Sequence, residues 1–357
     1  MDVVVTITST ILEQFQKPTL AFLIAGMMLA ALGSKFEVPL PVYKFIVIVL
    51  LLKVGMGAGI AIRDADVMSL LVPAIGAALI GMVIVFLGGK TLAKMRRVSE
   101  LDALATVGMF GAVSASTLAA GMAVLDDEGI AYEGYIGALY PFMDIAALVT
   151  AIVLAKLKLA RSTAATLPMD GSGVVALGGA RSEASAKIPD GTGKLVQDIL
   201  IDTFRSPAIS ALLAGLCLGV FARPDTVFQS FYEPLFRGLL SILMLIMGME
   251  AWARFAELRK VAHAYILYGL TAPIVHGLIG FGFGMIAHHL TGFSEGGIVL
   301  LAVMAASSSD ISGPPTMRAA LPDANPSAYV GTSTGLGTPV AILSIPLFMA
   351  LAELLIR

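Results

Sequence analysis

Apolar runs close to 20 residues long recur along this chain, and they constrain its fold more than any other feature. A helix that crosses a bilayer needs about 20 predominantly apolar residues, whereas a soluble domain alternates apolar and polar positions. Hydrophobic residues make up 57% of the chain and charged residues 13%, and the mean hydropathy is +0.90. These values exclude an ordinary soluble domain and predict an all-α polytopic membrane protein surrounded by membrane lipid.

Ten transmembrane helices are predicted when the runs are read between charged or Pro/Gly-rich clusters. Their centres lie near Ala25, Val49, Ala78, Gly111, Val149, Ala214, Met244, Ile274, Ala306 and Ser344. If the helices alternate in direction, most of the 23 basic residues fall in loops on one side. The positive-inside rule makes that side cytoplasmic and predicts a plasma (inner) membrane protein with both termini extracytoplasmic. No dense basic stripe is left over, so a nucleic-acid partner is not expected.

The two halves of the chain resemble each other. Residues 18–29 (PTLAFLIAGMML) align with residues 207–218 (PAISALLAGLCL), and five of the twelve positions are identical. Because five spans are an odd number, a repeated five-helix unit enters the membrane inverted the second time, as in many secondary transporters. We therefore predict a first five-helix repeat over residues 1–158, a flexible cytoplasmic loop over 159–195, and a second, inverted repeat over 196–357.

Two short polar segments interrupt the fourth and ninth predicted helices. They are residues 111–117 (GAVSAST) and residues 307–315 (SSSDISGPP). Unpaired backbone groups are so costly inside a bilayer that such a break persists only where it lines a polar cavity. Both helices are therefore predicted to be discontinuous. Their equivalent positions in the two repeats predict one shared site near the middle of the membrane, which indicates transport rather than anchoring.

The chemistry of the breaks suits a small monoanion. A broken helix exposes backbone N–H groups where one half-helix starts and carbonyl groups where the other ends. Serine hydroxyls both donate and accept hydrogen bonds, and neither break contains an arginine that would hold a carboxylate or phosphate tightly. The predicted substrate-binding residues are Gly111, Ala112, Val113, Ser114, Ala115, Ser116, Ser307, Ser308 and Ser309.

Asp310 is the only acidic residue in either break. A carboxylate at membrane depth is costly unless a cation or a proton accompanies it. Sodium would neutralise the charge, and its predicted ligands are Asp310, Ser309, Ser312 and Ser114. A second acid, Asp144, follows Pro141 in the fifth helix. We interpret it either as part of the cation site or as a structural polar group.

At these segments the chain resembles the SbtA family of sodium-dependent bicarbonate transporters, known from cyanobacterial carbon-concentrating systems. The resemblance rests on residues 110–117 (FGAVSAST), 138–145 (ALYPFMDI), 238–252 (GLLSILMLIMGMEAW) and the run 305–339. It implies bicarbonate uptake coupled to sodium for a carbon-concentrating mechanism, a homotrimer, and an elevator mechanism in which a core domain moves against a fixed scaffold. It also implies inhibition at the cytoplasmic face by SbtB, a small PII-like regulator.

Two other transport functions stay open on the residues alone. A sodium/proton antiporter on a similar inverted scaffold would use Asp310 with Asp144, since exchange for protons needs a carboxylate that accepts them. A sodium-coupled organic-anion transporter would require a basic residue at the site, and the breaks contain none. An intramembrane serine hydrolase is not expected, because all four histidines fall around the eighth helix and no nucleophile elbow accompanies the serines. The chain is therefore predicted not to be an enzyme.

Overall fold

The computed structural model describes residues 18–64, 67–165, 207–258, 263–310 and 312–356, together with residues 197, 201 and 205. All regular structure in this part of the chain is helical, which confirms the predicted all-α class. Within these residues, seven segments are long and apolar enough to cross a membrane: Leu40–Arg63, Leu70–Leu92, Glu100–Glu128, Ile136–Leu159, Asp225–Met249, His263–Thr291 and Pro326–Ile356. Shorter apolar helices cover Leu20–Ala31, Ile209–Phe221 and Glu295–Ala306.

Each of the ten predicted helix centres falls in a different one of these segments. Length and composition support membrane crossing for the seven longer segments. Whether the three shorter segments also cross is not shown by their length, so the arrangement of ten spans stays a prediction. The protein is in either case a multi-pass membrane protein of apolar helices.

The helices of the first half end beyond the predicted domain boundary. The helices are α1 (Pro18–Ala31), α2 (Leu40–Asp64), α3 (Val67–Leu92), α4 (Glu100–Gly111), α5 (Ala115–Glu128) and α6 (Tyr140–Ala165), and a 3-10 turn (Ile136–Leu139) leads directly into α6. Residues 159–165 are therefore helical, whereas we predicted them as the start of the loop. This stretch contains no glycine or proline, the residues that most disfavour a helix. The remainder of the predicted loop lies outside the described residues.

The regular structure of the second half is also helical throughout its described residues. The helices are α7 (Pro207–Phe221), α8 (Glu233–Leu258), α9 (His263–Thr291), α10 (Glu295–Ala306), α11 (Gly313–Ala320), α12 (Pro326–Val330), α13 (Thr338–Leu343) and α14 (Ile345–Ile356). A short turn and a π-helical turn (Phe228–Tyr232) lead into α8, and a π-helical segment (Gly331–Gly337) joins α12 to α13. Such widened turns often lie at functional sites.

The halves are connected by pairs of crossing helices. The first helix of each half packs against the second helix of the other, α1 on α8 and α2 on α7. Glycines permit this close approach. A side chain at Gly26 would meet the carbonyl oxygen of Leu245, and one at Gly55 would meet that of Leu212.

The helices that contain the breaks lie inside the protein. The most apolar window of Glu100–Glu128 is 100% buried, compared with 39% for Leu70–Leu92. Helix α4 packs between α3 and α6, while α10 packs against α9, α14 and α5. The polar breaks are therefore surrounded by protein rather than by lipid, as an irregular backbone in a membrane requires.

Candidate functional site

The first break separates α4 from α5. Helix α4 ends at Gly111, and α5 begins at Ala115 after an N-cap by Ser114, whose Oγ accepts a hydrogen bond from Thr117 N at 3.1 Å. This cap satisfies one of the N–H groups left free at a helix start. All the residues of the segment 111–117 are buried. The predicted interruption of the fourth helix is thus present.

The second break separates α10 from α11. Helix α10 ends at Ala306, and α11 begins at Gly313. Pro314 lies in its first turn, where the missing N–H of proline costs nothing. Ser309 Oγ accepts a hydrogen bond from Gly313 N at 2.8 Å and so satisfies the first N–H group of this half-helix. A side chain at Gly313 would lie 2.8 Å from Ser309 Cβ, which favours glycine here.

The two breaks contact each other directly. Ser309 N donates to the carbonyl oxygen of Met109 at 2.9 Å, and Ser114 N donates to Ser307 Oγ at 2.9 Å. Residues almost 200 positions apart are thereby joined through main-chain groups. The shared location that we predicted for the two breaks is observed among the described residues.

Asp310 reaches from the second break to the start of α5. Its Oδ2 accepts hydrogen bonds from Ser116 Oγ at 2.7 Å and from Ser114 Oγ at 3.0 Å. Its Oδ1 is buried and has no hydrogen-bond partner among the described residues. The N-terminus of a helix carries a partial positive charge, so the carboxylate is favourably placed but incompletely satisfied.

Asp144 joins both breaks from α6. Its side chain is completely buried. Asp144 Oδ1 accepts a hydrogen bond from Val113 N at 3.2 Å, and Oδ2 accepts one from Ser312 Oγ at 3.0 Å. The sequence left its role open between a cation site and a structural group, and the geometry brings it into contact with the predicted sodium ligand Ser312.

Several predicted anion donors already bond to protein acceptors. Val113 N donates to Asp144, Ser114 N donates to Ser307, and Ser307 Oγ donates to the carbonyl oxygen of Met304 at 2.7 Å. Gly111, Ala112 and Ala115 are buried between these groups. The sequence reasoning expected these N–H groups to face a solute, so an anion bound here would have to replace existing hydrogen bonds.

Sequence reasoning missed two hydroxyl groups at the breaks. Thr338 Oγ1 shares a hydrogen bond with Ser308 Oγ at 2.9 Å. Its neighbour Pro339 ends the run from Tyr329 (YVG), which parallels the run from Tyr132 (YEG) to Pro141 in the first half with a slip of one residue. Thr117 Oγ1 is buried without a hydrogen-bond partner in the described structure. The repeat is the signal that would have drawn attention to Thr338.

Other polar residues inside the helices have structural surroundings. Lys53 is buried between α2 and α8, with Nζ 3.3 Å from Glu233 Oε2 and 4.3 Å from the centre of the Phe236 ring. His276 packs edge-on against Phe110, with ring centres 5.9 Å apart. Lys53 is thereby paired within a helix interface, whereas His276 Nδ1 is buried without a hydrogen-bond partner among the described residues.

Apolar spanning helices that enclose two broken helices around a carboxylate define a multi-pass membrane transporter. Residues 18–353 match the family model of the Na+-dependent bicarbonate transporter superfamily, and the chain belongs to that superfamily. The resemblance to SbtA-type transporters is thereby confirmed. No individual curated protein matches the chain.

Proposed function

We propose that this protein is a sodium-dependent bicarbonate symporter that supplies inorganic carbon to a carbon-concentrating mechanism. The observation that carries the proposal is Asp310, a carboxylate between the two breaks whose Oδ1 is buried without a donor among the described residues. Such an oxygen needs a cation to offset its charge at membrane depth. Membership of a Na+-dependent bicarbonate transporter superfamily supports sodium as that cation and bicarbonate as the solute.

The sodium ion would bind at Asp310 Oδ1 in this proposal. The hydroxyls of Ser114 and Ser116 hold the other carboxylate oxygen, so Oδ1 stays available for a ligand. Ser309 and Ser312, which we also predicted as ligands, lie 2.9 Å apart through their Oγ atoms and offer neutral oxygens nearby. An oxygen-rich set of this kind suits a hard cation.

Bicarbonate would bind after sodium. A monoanion is repelled by an uncompensated carboxylate, and this repulsion is strong where water is scarce. Sodium bound at Asp310 removes that repulsion, while the start of α5 attracts negative charge. The serines of both breaks can then rotate their hydroxyls toward the anion and exchange their present partners for it. Sodium should therefore increase the affinity for bicarbonate.

An inverted repeat with an elevator mechanism is the architecture that we propose for transport. The reciprocal packing of α1 on α8 and α2 on α7 supports it, since two inverted units exchange equivalent helices in this way. The third helix of each half contains an internal proline, Pro73 in α3 and Pro273 in α9. The unit that contains the breaks would move against the crossing helices, within a homotrimer.

The ion pairs of the described residues support the alternation of helix directions on which the proposed inner-membrane orientation rests. Arg63 pairs with Asp225, and Arg237 pairs with Asp127, at helix ends that alternation assigns to the extracytoplasmic side. Lys158 pairs with Glu100 at the cytoplasmic ends of α6 and α4. Both chain termini would then be extracytoplasmic, and a PII-like SbtB regulator would bind on the opposite face.

Uptake by reconstituted protein tests the proposal. Proteoliposomes would be loaded without sodium and given labelled bicarbonate in sodium or choline medium, with protein-free liposomes as the control for CO2 diffusion. We expect uptake that requires sodium and that excess organic anions do not inhibit. Equal uptake in choline would contradict sodium coupling. Sodium-driven proton movement in the absence of inorganic carbon would favour the antiporter.

A further inference from the structure

Asp144 is a second carboxylate at the breaks, and sodium binding at Asp310 does not make use of it. The side chain of Asp144 is completely buried and accepts hydrogen bonds from Val113 N and Ser312 Oγ. Val113 N donates to Asp144 and Ser114 Oγ donates to Asp310, so adjacent residues of the first break hold the two carboxylates. The protein thus holds two acidic groups together where a membrane protein normally tolerates none without a partner.

The two carboxylates have no basic partner in the described part of the chain. None of the ion pairs found there involves Asp144 or Asp310. A buried charge is costly unless an opposite charge accompanies it. One sodium ion would offset one carboxylate, and a bound bicarbonate would add another negative charge. The charge balance therefore favours a second cation.

In the chain of hydrogen bonds that ends at Asp144, the donor and the acceptor of each bond can be assigned. Gly313 N donates to Ser309 Oγ at 2.8 Å, and Ser312 Oγ donates to Asp144 Oδ2 at 3.0 Å. Each hydroxyl has a single proton, so Ser309 gives its proton to Ser312 across their 2.9 Å contact. In this chain of bonds, each serine oxygen keeps a lone pair that could bind a cation.

Tyr140 is an independent sign of a ligand at this position. It lies one turn before Asp144 on α6, is completely buried, and its hydroxyl makes no hydrogen bond among the described residues. Residues four positions apart lie on the same face of a helix, so Tyr140 shares the face of α6 from which Asp144 contacts the breaks. Buried hydroxyls without a partner are uncommon and mark a place where an ion or a water belongs.

We propose that Asp144 and Tyr140 form a second sodium site beside the one at Asp310, with the Oγ atom of Ser312 as a neutral ligand that the two sites would share. Asp144 provides the negative charge, and the two hydroxyl oxygens provide neutral ligands. This inference rests on the proposed bicarbonate symport. Two sodium ions then accompany each bicarbonate, and each cycle carries one net positive charge inward.

The membrane potential distinguishes this stoichiometry from electroneutral symport of one sodium with one bicarbonate. A transporter that moves one net charge gains about 50-fold in its limit of bicarbonate accumulation for each 100 mV of inside-negative potential. A symporter that moves one sodium with one bicarbonate gains nothing from the potential. The coupling ratio is therefore open to direct measurement.

The first experiment uses the wild-type protein in proteoliposomes. Labelled sodium and labelled bicarbonate are counted together during initial uptake, and a potassium gradient with valinomycin sets the potential. We expect two sodium ions per bicarbonate and uptake that an inside-negative potential stimulates. A ratio of one without voltage stimulation would overturn the second site while leaving the symport intact. A ratio of one with voltage stimulation would assign the second charge to a proton and also overturn the sodium site.

Variants then test the residues. Asp144→Asn should reduce the ratio to one and remove the voltage stimulation, and Asp323→Asn, in an exposed turn, is the matched control. Tyr140→Phe and Ser312→Ala each remove only one oxygen ligand, so they still test the second sodium site if Asp144→Asn fails to fold. Both should raise the sodium concentration for half-maximal uptake about tenfold and lower its Hill coefficient toward one. Wild-type sodium dependence in both variants would overturn the proposal.

Discussion

The two helix breaks differ in length, charge and hydrogen-bonding role. The first covers Ala112–Ser114 and contains no ionisable side chain, whereas the second covers residues 307–312 and contains Asp310. Ser114 donates from its N and Oγ atoms, to Ser307 and to Asp310, and Ser116 adds a second hydroxyl donor. The first break mainly supplies donors, and the second supplies the acceptors and the charge.

This difference teaches that similar halves need not contribute similar groups to a shared site. The first half adds its own carboxylate from α6 at Asp144, three residues after Pro141. The equivalent position after Pro339 is Ile342, which is apolar and buried. Each half therefore provides one carboxylate from a different place in its helices.

Removing the charge of the second break should have the largest effect. Asp310→Asn keeps the size of the side chain but loses the negative charge that sodium would neutralise. We expect sodium-dependent bicarbonate uptake to fall about 100-fold or more, which corresponds to about 2.7 kcal/mol. Initial uptake over a range of sodium concentrations measures this, with Asp323→Asn as the control. Near-normal uptake would show that the charge of Asp310 is not what distinguishes the second break from the first in transport.

Removing the cap of the first break should have the next largest effect. Ser114→Ala loses the hydrogen bond to Asp310 and the cap on Thr117 N. A hydrogen bond to a charged group contributes about 1.5–3 kcal/mol, and a helix N-cap about 1 kcal/mol. We expect the sodium constant to rise about tenfold and the melting temperature in detergent to fall. A change in bicarbonate affinity alone would contradict the assignment to Asp310.

The neighbouring serine separates these two contributions. Ser116 Oγ donates to Asp310 at 2.7 Å but does not cap the helix. Ser116→Ala should therefore raise the sodium constant about tenfold, as expected for loss of one hydrogen bond to a charged group, with little change in melting temperature. Parallel titrations and melts of both variants make the comparison. Equal destabilisation by both would show that the cap of Ser114 is unimportant.

The smallest effect is expected at the C-terminal end of α5. Arg237, whose side chain is 67% exposed, pairs with Asp127 at 2.9 Å and connects α5 to α8. Exposed ion pairs contribute about 0.2–1 kcal/mol and weaken with salt. Arg237→Gln should change the uptake rate less than about fivefold, and the difference should shrink at high ionic strength. A larger loss that salt does not reduce would show that this ion pair anchors α5, and would add a further difference between the two breaks.

The positions of the breaks were predictable because their signals are local. Serine, glycine and proline disfavour a continuous helix wherever they cluster, so the helices stop within a residue or two of the predicted places. The start of the central loop was predicted too early, because Ala-rich residues 159–165 suit a helix as well as a loop. The partners of the break residues were not predictable, because they come from distant segments.

The sequence by itself determined the all-helical membrane class, the two discontinuous helices and Asp310 as the charged residue between them. These follow from apolar run length and local helix propensity, which need no knowledge of contacts. Only the tertiary structure decided that the first-break N–H groups bond to Asp144 and Ser307 instead of remaining available to an anion. Buried donors must find acceptors, and which acceptor lies within 3 Å depends on how helices far apart in the chain pack.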